Sequence, residues 1–295
     1  MPRKAKRDRL SYLITSIQAQ AIGDVNQIDS FDSPAAYFLT QVVNLNKSLR
    51  YCMEKFPAKG KTDSGSGYKS IDKLPPEAQN VIRRLSASAF VAMMGHFETF
   101  QRSFVSDLFE ATRFIRNLNV EILMKRILGE SKDNGIRIVD MAAYRGQTAS
   151  IGRLLVDNIV GWHNPQRVNE IVKAMLEKTE FYSNADIEYL NCLWQIRHAI
   201  THTGGWLTLS DAQKVPQLKS LGNEPIYFDH NFIRQVHEEF HQIVKNSVDR
   251  ASEAFRKKIE ADYEEDEQEK DTILQGKEIL KLFTVTSPRQ SELRD

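Results

Sequence analysis

The sequence has little cysteine and no long apolar run. Cys52 and Cys192 are its only cysteines, and each lies in an apolar helical pattern, where a free thiol behaves as a small hydrophobic side chain. A framework of several disulfides is therefore excluded, and we expect a reducing compartment. No stretch of roughly 18 apolar residues is present, and the segment after the basic N-terminus is too polar for the core of a signal peptide. These absences predict a cytoplasmic protein without a membrane-spanning helix.

A strong net charge is also absent. The chain has 40 basic and 39 acidic residues and a formal net charge of +1, so the whole molecule has no field that attracts nucleic acid. Any such attraction has to come from a local group of basic side chains. The hydrophobic fraction of 41% and the charged fraction of 27% are typical of a globular protein.

Apolar residues recur at steps of three and four along most of the chain, which predicts amphipathic helices and an all-α fold. We expect an N-terminal helical extension and linker over residues 1–74, a helical domain over residues 75–258, and a charged tail with a short amphipathic helix over residues 259–295. Residues 57–70 mark the first boundary because they are rich in glycine and serine and lack periodicity. The strongly acidic segment 260–271 predicts a flexible tail.

Local signals indicate where two of the helices begin and how one is interrupted. Ser33 followed by Pro34 is typical of a helix N-terminus, with the serine as the cap and the proline in the first turn. A helix over about residues 77–116 is unusually long for a globular protein. We therefore expect a kink or a break in it near Ser86 or Gly95.

One later helix carries residues that suggest chemistry rather than packing. It begins near residue 185, with Asn184 as the expected N-cap. Gly204 can adopt the left-handed conformation that ends a helix, and Gly205 extends that freedom. His202 therefore lies in or beside the last turn, where exposed carbonyl groups carry partial negative charge.

The last turns of this helix contain Arg197, His198 and His202. Arg197 and His202 are about 140° apart around the helix at about 100° per residue, so the length of the arginine has to bridge the gap. A guanidinium can hold two phosphate oxygens, and an imidazole can move a proton near neutral pH. The pair suits cleavage of an RNA phosphodiester without a metal ion. The competing interpretation is a solvated or salt-bridged arginine beside incidental histidines.

The segment RHAITHTGG at residues 197–205 resembles the Arg-polar-x-x-x-His signature of HEPN domains, including a polar residue after the arginine and glycines after the histidine. Residues 89–108 resemble the long first core helix of that family, with an acidic residue at Glu98. The resemblance extends over about residues 75–258. It implies a HEPN-like helical bundle with helical insertions.

The resemblance also implies a function. It implies a metal-independent endoribonuclease that needs no cofactor, with Arg197 and His202 as catalytic residues and His198 and Glu98 in support. Two protomers would appose their signature helices, so that RNA binds a composite site in a homodimer. Members of the family commonly act in toxin or phage-defence systems, which implies an antitoxin or another defence protein as a partner.

Three alternatives stay open at this point. The chain can be a non-catalytic helical module that uses Arg197 and His202 to bind a partner or to form a dimer. His198 and His202 share a helix face and can hold a metal ion, although no third ligand is evident. Glu98 can form a surface ion pair with Arg102, four residues further on, and then it has no role in catalysis.

Overall fold

A computed structural model describes residues 33–54, 74–116, 118–128 and 150–285 of the chain. Over these residues the fold is helical with one two-stranded sheet, which confirms the all-α expectation. The helices are α1 (Pro34–Glu54), α2 (Pro76–Ala111), α3 (Val120–Leu128), α4 (Ile151–Asn158), α5 (Pro165–Leu176), α6 (Asn184–Thr203), α7 (Leu209–Gln213), α8 (His230–Asp262), α9 (Glu267–Leu274) and α10 (Lys277–Phe283). The strands are β1 (Trp206–Leu207) and β2 (Glu224–Pro225), and short 3₁₀ turns occupy Thr112–Phe114 and Pro216–Leu221.

Helix α2 forms the centre of the core. Phe97 and Phe100 on its buried face have no exposed surface. The ring centroid of Phe97 lies 4.6 Å from that of Phe240 on α8 and 5.4 Å from that of Phe38 on α1. Burial of one such side chain contributes about 1.5–3 kcal/mol. This aromatic cluster therefore stabilises the packing of α1, α2 and α8 against one another.

Helix α2 runs without interruption through Ser86 and Gly95, so the expectation of a break at these residues is wrong. Ser86 is fully buried in the packed face of the helix. Glycine and serine cost at most about 1 kcal/mol each in a helix interior. Tertiary packing of the long apolar face outweighs that cost.

Helix α1 belongs to the same core as the helices of the predicted 75–258 domain. It begins as expected, because the Ser33 hydroxyl accepts a hydrogen bond from the backbone amide of Ala36 at 3.0 Å. Most of its apolar face joins the main core, while Met53 near its end packs in a small second cluster with Ile82 of α2. The expected domain boundary therefore separates elements that share one hydrophobic core. Residues 1–32 and 55–73 of the predicted extension and linker lie outside the described residues.

The acidic tail packs onto the body of the protein. Ile279 and Leu282 are buried in the main core, and Arg116 donates to the Glu269 carboxylate at 2.7 Å. The expectation of a flexible acidic tail is therefore wrong over residues 267–283. Most of its charged residues are exposed on two short helices, whereas Ile273, Ile279 and Leu282 are buried.

Helix α6 packs against α2, as their apolar stripes predict. Its N-cap is Ser183 and not the expected Asn184. The Ser183 hydroxyl accepts from the backbone amide of Asp186 at 3.2 Å, and the Asp186 carboxylate accepts from the backbone amide of Ser183 at 2.9 Å. Arg250 of α8 also donates to this carboxylate at 2.9 Å. These contacts fix the start of α6 against α8.

The end of α6 is set by two glycines, as the sequence predicts. Gly204 caps the helix in the left-handed conformation with φ of 64°, and Gly205 follows with φ of 91°. The chain then enters β1, where Trp206 pairs with Pro225 of β2 in an antiparallel register. His202 is therefore in the last turn of α6, beside the small sheet.

Candidate active site

The last turns of α6 form one wall of an open cavity of about 840 Å³. Four polar residues line it from a single face of the helix, because steps of four, three and four residues place them within about 60° at about 100° per residue. We call these four residues the polar stripe: Asn191, Gln195, His198 and His202. The remaining lining residues are His163, Asn164, Gln166, Trp194, Arg197, Lys214 and Val215.

Arg197 reaches the cavity from the flank of the polar stripe. Its guanidinium carbon lies 5.7 Å from the centroid of the Trp194 ring, so the aromatic face helps to hold the cation. Its Nε atom is buried and has no hydrogen-bond partner among the described residues. No described carboxylate forms an ion pair with it, which leaves the salt-bridged interpretation of Arg197 without support in this part of the chain.

The imidazole rings of His198 and His202 contact each other. Their centroids are 4.5 Å apart with an interplanar angle of 39°. Both side chains are exposed toward the cavity side of the helix. The structure therefore brings the three predicted residues of the signature to one cavity, with the two histidines adjacent and Arg197 beside them.

The lining of the cavity is cationic and polar. No aspartate or glutamate occurs among its described lining residues, although acidic and basic residues are nearly equal in number in the whole chain. Just outside the lining, the Asp211 carboxylate accepts from Lys214 Nζ at 2.7 Å and from the Thr208 hydroxyl at 2.8 Å. These hydrogen bonds hold the pKa of Asp211 below its usual range, and the nearby His198 acts in the same direction.

Glu98 forms an ion pair outside the cavity. Its carboxylate accepts from Arg102 at 2.8 Å, four residues further along α2, which is the predicted surface pair. The Arg102 guanidinium carbon also lies 5.3 Å from the centroid of the Trp162 ring. Glu98 does not line the cavity that contains Arg197. The structure thus brings Arg197, His198 and His202 together and leaves Glu98 outside the group.

Sequence reasoning missed several lining residues. Asn191 and Gln195 had a readable signal, since they precede His198 and His202 at helical spacing and complete the polar stripe. His163 comes from the turn before α5, where its ring meets Trp194 edge to face at 6.5 Å between centroids. Residues such as His163 arrive through tertiary packing, and nothing in their own sequence neighbourhood marks them.

The chain was compared with protein-family models, curated proteins and solved structures, and none of them matches it. Within the described ranges, no group of three or more His, Cys, Asp or Glu side chains has an arrangement that could hold a metal ion. None of the described helices is long and apolar enough to cross a membrane.

Proposed function

We propose that the protein is a metal-independent endoribonuclease of the HEPN type, with its active site in the cavity at the end of α6. The observation that carries this proposal is the lining, in which Arg197, Lys214 and three histidines meet without a described acidic residue. An unpaired guanidinium favours a bound phosphate through charge-assisted hydrogen bonds. Lys214 is paired with Asp211, so Arg197 supplies most of this attraction.

The proposed reaction is attack of a ribose 2′-hydroxyl on the adjacent phosphorus. A bond forms between phosphorus and the 2′ oxygen as the bond to the 5′ oxygen breaks. Arg197 holds the non-bridging oxygens, where negative charge builds up in the transition state. His202 removes the proton of the 2′-hydroxyl or supplies the proton that the leaving 5′ oxygen needs. The products end in a 2′,3′-cyclic phosphate and a 5′-hydroxyl.

We further propose a homodimer with a composite site. Both copies of Arg197 and His202 would face one RNA strand across a two-fold axis. By analogy with HEPN proteins, the enzyme would cause growth arrest in a toxin or phage-defence system and would be held in check by an antitoxin or another defence protein in the cytoplasm.

The test is RNA cleavage by the wild type beside Arg197→Ala and His202→Ala, with EDTA present. Arg256→Ala is the control, because this exposed arginine lies on α8 and pairs with Glu253 at 2.9 Å, outside the cavity. We expect cleavage by the wild type and the control only. If varied RNAs are never cut while a dimer forms, the chain is the non-catalytic interaction module.

A further inference from the structure

Part of the cavity lining has a different chemistry from Arg197 and the histidines. Asn164 and Gln166 at the start of α5 face the cavity together with Asn191 and Gln195 of the polar stripe. These are uncharged amides with donor and acceptor groups, although the Asn164 oxygen already accepts from the backbone amides of Gln166 and Arg167. They add no positive charge for a second phosphate. They match instead the mixed donor and acceptor edges of a nucleobase.

Two hydrogen-bond donors of residues that line the cavity have no partner among the described residues. Trp194 Nε1 and Gln195 Nε2 are both buried and unpaired among the described residues, and Trp194 is only 6% exposed. Buried polar groups in folded proteins nearly always have a partner. Neither atom has exposed surface, so a ligand in the cavity reaches only the donor that can rotate, and the unpaired Gln195 amide indicates a ligand that brings an acceptor. The terminal torsion of a glutamine is soft, so a small rotation turns the Gln195 amide toward the cavity.

The dimensions of the cavity agree with this assignment. Gln195 precedes His198 by three residues, which is a rise of about 4.5 Å along the helix, so the Gln195 side chain adjoins the His198 imidazole without overlapping it. A volume of about 840 Å³ exceeds what a phosphate alone needs. It falls within the range of small-molecule sites, about 300–1,000 Å³.

We infer that the amide residues of the lining form a subsite for one unstacked RNA base, with Gln195 as its main specificity-determining residue. The phosphate of the same nucleotide lies against Arg197. Sequence-specific recognition of RNA usually targets such splayed bases on their hydrogen-bonding edges. This inference rests on the proposed ribonuclease function, which supplies the RNA, but it is tested by binding and not by cleavage.

The experiment titrates the full chain with the four nucleoside 5′-monophosphates and with ribose 5-phosphate, which carries a hydroxyl group in place of the base. The variants are Gln195→Met, which keeps the side-chain length but removes the amide, and the control Gln268→Met on the exposed face of α9. Thermal melting of each variant checks that it is folded. We expect at least one nucleotide to bind about tenfold or more tightly than ribose 5-phosphate. Gln195→Met should abolish that advantage and leave ribose 5-phosphate binding unchanged.

Two results would overturn the subsite. One is equal binding of all five compounds to the wild type, and the other is a base preference that Gln195→Met leaves intact. Base-selective binding by a protein that never cuts RNA would instead support the subsite and refute the proposed catalysis. Cleavage without base-selective binding would support the proposed catalysis and refute the subsite.

Discussion

The Arg197 guanidinium lies over the Trp194 ring and has no acidic partner among the described residues. We predict that Arg197→Lys stays folded but loses most RNA cleavage, because lysine keeps the charge and lacks the planar fork that holds two oxygens. Arg256→Lys is the matched control on the surface of α8. Melting temperature and single-turnover cleavage should be measured together, and full activity of Arg197→Lys would show that charge alone suffices.

The two adjacent histidines are predicted to differ in importance. His202→Ala removes the proposed proton carrier and should lower the cleavage rate by about 10²–10⁴ with little change in stability, since it is exposed in the last turn. His198→Asn should have a milder effect, because the resemblance gives His198 a supporting role. The RNA cleavage rates of the two variants show which histidine is catalytic. If His198→Asn abolishes cleavage and His202→Ala does not, the catalytic histidine is misassigned.

The burial of His237 makes the free energy of unfolding depend on pH. It is only 4% exposed, its Nδ1 lies 3.4 Å from Asn46 Nδ2, and burial lowers its pKa, with His241 acting in the same direction and Glu238 against it. Between the lowered pKa of the folded state and the ordinary value near 6.5, the unfolded chain binds more protons, so the free energy of unfolding falls as pH drops through this window.

The matched variant is His237→Gln, which cannot gain a proton. Urea unfolding from pH 7.5 to pH 5 should show a smaller loss of stability for His237→Gln than for the wild type. His163→Gln is the control, since His163 is exposed. Identical pH profiles for His237→Gln and the wild type would contradict a neutral, buried His237.

At the scale of the elements, α4 packs closely on α2, and a substitution of Gly152 tests this contact. A Cβ atom on Gly152 would lie 2.4 Å from the backbone oxygen of Ser106, whereas one on Gly95 would meet nothing within 4 Å. Gly152→Ala should therefore destabilise the protein by roughly 1–3 kcal/mol through overpacking. Gly95→Ala should stabilise it by about 0.5–1 kcal/mol, because alanine loses less backbone entropy in a helix. Urea denaturation checks both, and equal effects would mean that α4 does not approach α2 this closely.

The start of α1, the end of α6 and the pairing of α6 with α2 were predictable, whereas the docking of α1 and α10 was not. The start of α1 at Ser33 and the end of α6 at Gly204 depend on capping by neighbouring residues, which the sequence shows directly. The docking of α1 and α10 depends on which apolar faces meet, and the periodicity of these two segments does not show which face each one contacts. For the same reason the sequence revealed Arg197 and His202 by their chemistry but gave no sign that His163 would join them.

The proposed homodimer makes a prediction for the whole molecule. A composite site requires a self-complementary contact near Arg197, and Trp206, which is 49% exposed just after the end of α6, offers apolar area there. Trp206→Glu should weaken dimerisation and cleavage together. Leu280→Glu on α10, where the native side chain is 55% exposed, is the control. Sedimentation and activity measured across protein concentration test this, and a strictly monomeric protein that still cuts RNA would refute the composite site.

The most direct test of the central claim is cleavage, in EDTA, of one RNA oligonucleotide and of the same oligonucleotide with a single 2′-deoxy nucleotide at the cut. Attack by the 2′-hydroxyl predicts that the all-ribose strand is cut to a 2′,3′-cyclic phosphate and a 5′-hydroxyl. It also predicts that the single 2′-deoxy substitution blocks the cut and that Arg197→Ala leaves the all-ribose strand intact. Equal cleavage of both strands, or full activity of Arg197→Ala, would contradict the assignment of this cavity as a ribonuclease site.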